Sequence, residues 1–373
     1  MRSSLPSLRS VSILLFALFV FALLLVNADF AMDGVRQGLS LCTETLFPSL
    51  FPFLVLSELL IASGAGEALG RLFSRPVAAL FGLSESGAAS LILGFFCGFP
   101  VGTTSAMAFY RKEELSREEL QRLVLFANNP SSGFLIGAVG EALFGSKTVG
   151  IALFCITLLS ASTLGLFLHI FFGKVNQKYK TAGNGIRKSF SAADFTAGVK
   201  RAFSSLLQVC AFVLFFSCIS KCLAPLILEL NLPQSAGVLL SGILEMTSGI
   251  SGAITLLSPS LAFLFIAFFA SFAGLSVALQ IFSVAEEAHL PLWPYLAARL
   301  VQGALALLYA SLFLWLFKPD FIIARSVAVM TPALQAASSP ALLLAVLLPL
   351  LLLFLPAKKK GLRRRKPERK EKI

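Results

Sequence analysis

Apolar residues in this chain fall in long unbroken runs, not in the alternating or one-faced patterns of a soluble domain. Runs of about 20 residues recur at 11–30, 43–62, 120–140, 148–172, 203–228, 259–285, 294–317 and 338–356, the length needed to cross a hydrocarbon core of roughly 30 Å as an α-helix. Two further apolar stretches, 87–109 and 237–257, are interrupted by glycine, proline or small polar residues at 97–102 and 245–252. Two of the spans are also interrupted, by NNPSSG at 128–133 and by ASFAGLS at 270–276. At membrane depth a broken backbone survives only where it is buried in protein or lines a polar cavity.

Composition settles the class. The chain is 57% hydrophobic, contains 36 Phe, is 13% charged and has a mean hydropathy of +0.86, against roughly 25% charged residues in soluble domains. It reads as an all-α polytopic membrane protein whose first partner is the lipid bilayer. The basic start and the apolar run 11–26 also fit a cleaved signal peptide; an uncleaved first helix is the preferred reading, because so many spans follow. The six cysteines lie in or beside apolar runs without a C-x-x-C pair, and His169 and His289 are far apart. They read as packing residues, with no metal site.

Charge decides which stretches cross. The net charge of +12 sits in short hydrophilic segments, which points to topology and anionic headgroups and away from nucleic acid. The connector 173–201 holds Lys174, Lys178, Lys180, Arg187, Lys188, Lys200 and Arg201 against Asp194 alone. If 87–109 and 237–257 crossed fully, this connector would lie outside. If both are re-entrant hairpins, then 63–86, the charged segment 111–122, 173–201 and the basic tail are all cytoplasmic, as the positive-inside rule requires. The second arrangement gives about eight crossings and two re-entrant hairpins, in the cell membrane with both termini cytoplasmic.

Segment 38–60 can be laid on 198–220, and each is followed by a broken hairpin, a broken span and a closing span. With three crossings per repeat, the two repeats must be inverted, an arrangement that secondary transporters use to bring discontinuous helices together near the midplane. The expected organisation is an N-terminal helix and outer loop (1–37), a first repeat (38–172), the basic connector (173–201), a second repeat (202–317), an outer loop with the last helix (318–356) and a basic tail (357–373).

The breaks carry the candidate chemistry. Gly98, Pro100 and Gly102 permit a reversal, and Thr103 and Thr104 then start a returning helix whose free N–H groups favour polar or anionic groups. Asn128, Asn129, Ser131 and Ser132 place amides and hydroxyls in mid-span, which is expensive unless they are satisfied. They suit a neutral polar solute or an oxygen-coordinated cation; the competing reading is a kink whose polar groups satisfy one another. In the second half Glu245, Thr247, Ser248, Ser251, Ser271, Ser276 and Gln280 occupy the corresponding places. Glu245 is the carboxylate nearest a hairpin tip, where it carries a proton or coupling cation, or else pairs with a cation such as Lys221. Glu58 reads more simply as a residue near the end of its span. Ser116 and Glu119 form a capping box. No catalytic triad, HExxH or phosphate loop stands out, and no cofactor is indicated, so an enzyme is not the expected function.

GFFCGFPVGTTSA, EELSREELQRL and FANNPSSGFLIGAVGEALFGSKTVG together resemble the nucleoside-recognition (Gate) domain family, and within it the YlbJ-type sporulation integral membrane proteins. The resemblance covers roughly 38–317. It implies a fold distantly similar to concentrative nucleoside transporters, with two re-entrant hairpins and inverted repeats, and a role in spore formation, including the cortex. The expected function is binding or moving a small polar solute, nucleoside-like or other; a non-transporting scaffold for spore-envelope assembly is the alternative. The second half departs from the first, with SFAGLS where the first has NNPSSG, so a symmetric site is not implied.

Overall fold

The structure is a computed structural model and describes residues 8–173 and 191–317. The expected last span 338–356, the loop before it, the basic tail and most of the connector 173–201 lie outside the described residues. Within them the chain is helical, with no strand. The helices are α1 (Leu8–Val26), α2 (Ala28–Ser40), α3 (Phe47–Ser63), α4 (Ala65–Phe81), α5 (Glu85–Cys97), α6 (Val101–Arg111) and α7 (Arg117–Phe126) in the first part. They continue as α8 (Lys147–Phe172), α9 (Ala192–Glu229), α10 (Gln234–Leu244), α11 (Met246–Leu256), α12 (Pro259–Phe272), α13 (Gly274–Val284) and α14 (Leu292–Phe317). Two wide-turn π segments, Leu41–Leu46 and Gly133–Leu143, interrupt the series.

Among the described residues, five helices are long and apolar enough to cross a membrane: Ala28–Ser63, Lys147–Phe172, Ala192–Pro225, Pro259–Val284 and Leu292–Phe317. Large apolar side chains such as Leu18, Phe171, Leu308 and Trp315 are more than half exposed, as a lipid-facing surface requires. The protein is an all-α polytopic membrane protein. All six cysteines are free thiols, and all but Cys155 are buried.

The outer loop expected between the first helix and residue 38 is instead helical. α2 continues through the π segment into α3 as one helix of 36 residues, ~54 Å long at 1.5 Å per residue. Its polar composition misleads because Gly34 and Gly38 lie one turn apart against α9. A Cβ on Gly34 would stand 2.6 Å from the Cys218 Cα, and one on Gly38 3.1 Å from the Leu214 Cα. Small residues at this spacing let two helix backbones approach closely, so the segment packs as a helix without being apolar.

Both broken apolar stretches are helical hairpins. α5 and α6 pack on one another across the break 98–100, and α10 and α11 across the single extended residue Glu245. The two ends of the first hairpin lie at the same end of the bundle. The Ser84 N–H, at the start of α5, donates to Glu119 of α7 at 2.6 Å. The capping box is therefore only half formed: the Glu119 N–H donates to Ser116 Oγ at 3.0 Å, but the carboxylate is drawn to Ser84 instead. Burial raises the Glu119 carboxyl above the usual carboxylate range.

Other polar contacts gather at this same end. Arg201 donates to Glu58 at 2.7 Å, and Arg122 donates to the Gly173 carbonyl at 2.6 Å. Arg111, at the end of the first hairpin, makes two parallel bonds of 2.9 Å to Glu287, and Arg117 donates to the Ala288 and His289 carbonyls. The Arg111 guanidinium holds the Glu287 carboxyl below its usual range.

Candidate functional site

The first hairpin is built to meet the broken span. At Gly98 the backbone is left-handed, with φ +91°, and a Cβ there would stand 2.8 Å from the Ser131 N. Gly94 is tighter: its Cβ would lie 2.0 Å from the Ala127 carbonyl oxygen. Only glycine lets the hairpin lie backbone to backbone on the interrupted segment 127–132. The Phe99–Pro100 peptide is cis.

The two amides of that interruption are fully buried and serve as braces. Asn128 Oδ1 accepts from both the N–H and the hydroxyl of Thr103 at 3.0 Å, and its Nδ2 donates to the Val124 carbonyl. Asn129 Nδ2 donates to the Phe126 carbonyl, one of the groups freed where α7 stops. Its Oδ1 accepts from Gln302 on α14 at 2.8 Å, and Gln302 in turn accepts from Arg299 at 2.6 Å. Arg299 Nε donates to the Phe272 carbonyl at the end of α12. A buried polar relay thus ties the break in the first half to the break in the second. Neither Arg299 nor Gln302 was anticipated from the sequence; the signal was available, since a charged side chain inside an apolar span is a functional candidate by default.

The second hairpin turns at Glu245, which does not pair with Lys221. Its carboxylate accepts the N–H groups of Thr247 at 2.9 Å and Ser248 at 2.6 Å, together with the Thr247 hydroxyl. It caps α11, where free N–H groups and the helix dipole favour a negative charge. α12 ends at Ala273, left-handed at φ +69°, and α13 begins directly after it.

Both hairpin tips, the break in the first span and α13 of the second broken span meet. A narrow cavity of about 20 Å³ is lined by Phe99 of the first tip, Pro130 and Ser131 of the first broken span, Glu245 and Thr247 of the second tip and Gln280 of α13. That volume holds about one water molecule. Leu46, Leu50, Phe134, Val209 and Val213 complete a largely apolar wall. A second cavity of about 420 Å³ lies on the other side of the second tip, between α9, α10 and α11. Ser217, Ser220, Ser241, Ser248, Ser251 and Thr255 contribute its hydroxyls, and Lys221 is the one charged side chain among the described residues that line it. Thr247 faces the small cavity and its neighbour Ser248 the large one, so the first turn of α11 is the wall between them.

Not every candidate reaches these spaces. Gly102 lies against Ala127 and Asn128. Thr104 bonds back to the Pro100 carbonyl, Ser132 to the Phe96 carbonyl, and Ser271 to Ser160 on α8. Ser276 accepts from Gln280, whose remaining oxygen is buried without a partner.

Residues 43–178 match the Gate family, described as nucleoside recognition. The match contains the first hairpin and the broken span, so the resemblance seen in CGFPVG and NNPSSG holds. The chain is also 27% identical over 345 residues to the sporulation integral membrane protein YlbJ of Bacillus subtilis (strain 168), covering 84% of each. Among solved structures it is similar to CNTnw in an inward-facing substrate-bound state, at 13% identity and a TM-score of 0.36, over 87% of this chain and 92% of that one. No residue role is transferred at that distance.

Proposed function

We propose that this Gate-segment protein acts in spore formation, in the cell membrane with both termini cytoplasmic, and binds and moves a small polar solute. The observation that carries the reading is the meeting of both hairpin tips with both broken spans around one small cavity, a single helical turn away from a polar cavity large enough for a small organic molecule. In this reading the hairpins are re-entrant, the halves are inverted, and the 420 Å³ cavity is the vestibule on the non-cytoplasmic side. Displacement of the first turn of α11 joins it to the junction, which is the alternating-access step. Hydroxyls suit a polar solute, Lys221 favours one bearing negative charge, and Glu245 is the group able to hold a coupling cation. The relative named for sporulation supports the setting; the buried braces Asn128 and Asn129 hold the junction together and do not contact the solute.

The tightness of the junction, about 20 Å³, favours a second reading, a non-transporting scaffold for envelope assembly. The two are separated with purified protein, using a panel of nucleosides, sugars and dipicolinate. The solute reading expects thermal stabilisation by at least one compound and its uptake into liposomes, with Lys221→Ala and Ser251→Ala cutting the response several-fold at unchanged stability. Their side chains line the vestibule without bracing the junction, so loss of response reports binding. A panel without effect, or a response untouched by both substitutions, leaves the scaffold reading.

A further inference from the structure

Arg299 and Tyr295 lie four residues apart on α14, which makes them neighbours on one helix face. They are sealed from solvent, at 0% and 1% exposure, inside a helix apolar and long enough to span a membrane. The guanidinium uses Nη1 on Gln302 and Nε on the Phe272 carbonyl. Its Nη2 and the Tyr295 hydroxyl have no hydrogen-bond partner.

No carboxylate among the described residues forms an ion pair with Arg299. The buried carboxylate of Glu245 is already engaged by Thr247 and Ser248. A guanidinium cannot shed its charge, and a charge buried in a span is costly unless it meets a counter-charge or backbone carbonyls. Gln302 is neutral, and the carbonyl end of α12 supplies only a partial charge.

We propose that Arg299 Nη2 and Tyr295 Oη hold a small inorganic anion of the size and charge of chloride, in the core beside the break between α12 and α13. Two buried, unpartnered donors on one helix face suit a monatomic anion, which accepts from any direction and brings no donor needing a partner of its own. Water would satisfy the donors but leave the charge. The anion would also fix the guanidinium that orients Gln302 and, through it, Asn129 at the other break. The inference does not depend on the solute reading.

Thermal unfolding of the purified protein in detergent tests it, comparing sodium chloride, bromide and gluconate at constant ionic strength. The expected result is a saturable rise of several degrees in the midpoint with either halide. Tyr295→Phe, which removes one donor and no charge, raises the half-saturating halide concentration several-fold. Arg299→Gln abolishes the halide dependence and is at least as stable as the natural protein in gluconate, because the uncompensated charge is gone. A midpoint independent of halide overturns the proposal. So does a saturable halide effect that is the same in Tyr295→Phe, a variant that remains informative even if Arg299→Gln does not fold.

Discussion

A methyl group at position 94 has nowhere to go. It would stand 2.0 Å from the Ala127 carbonyl oxygen and 2.8 Å from the Gly102 Cα, backbone on both sides. Backbone cannot rotate aside as a side chain does, so Gly94→Ala should destabilise the protein by about 1–3 kcal/mol, the range for overpacking. Gly137 is the control: nothing lies within 4 Å of its Cβ position, and Gly137→Ala in the π segment should change stability by at most about 1 kcal/mol, in the stabilising direction. Unfolding midpoints in one detergent compare the two directly; equal losses would mean that the hairpin does not lie on the broken span. At this scale the sequence was read well where polarity stood out against an apolar background. Asn128, Asn129 and Glu245 were found that way. Their roles were not readable, because whether an amide binds a solute or braces a break depends on partners remote in sequence, such as Thr103 and Gln302.

Among elements, the first hairpin and the broken spans were legible because glycine and proline mark a chain break whatever the solvent; the break expected over 245–252 narrows to Glu245 alone, with Gly249 and Gly252 inside α11. α2 was not, since its burial comes from two glycines against α9 and not from apolar content. The contact between the first hairpin and the loop before α14 was equally hidden, as 176 residues separate Arg111 from Glu287. This pair joins the two halves at the polar end of the bundle. Its Glu287 carboxyl is lowered in the folded protein, so its contribution is present above the usual carboxylate range and is lost as pH falls through the folded value. Arg111→Glu should lower the unfolding midpoint slightly at neutral pH and low salt, and the exchange Arg111→Glu with Glu287→Arg should restore it. Both side chains are more than half exposed, so salt should erase most of the difference. If the exchange restores nothing, the pair does not hold the halves together.

For the whole molecule the question is which side of the membrane each end of the bundle faces. Charge counting alone placed 63–86, 111–122 and 173–201 together. The polar contacts bring the same segments to one end independently: Ser84 with Glu119 and Arg122 with Gly173. Had the first hairpin crossed the bilayer, Ser84 and Glu119 would stand a membrane apart, not 2.6 Å. A reporter inserted in the basic connector between Lys180 and Arg187 should therefore read as cytoplasmic, and one at Gly145, whose Cβ position is open, as external. Both on one side would mean that α8, long and apolar enough to span, does not cross. Connector external with Gly145 internal is the pattern of a spanning 87–109, against which the Ser84 bond stands, or else of the whole bundle turned over, with the seven basic residues of the connector outside against the charge rule and the polar vestibule on the cytoplasmic side. Only the expected pattern keeps the vestibule facing away from the cytoplasm, so two insertions decide from which compartment a solute would enter.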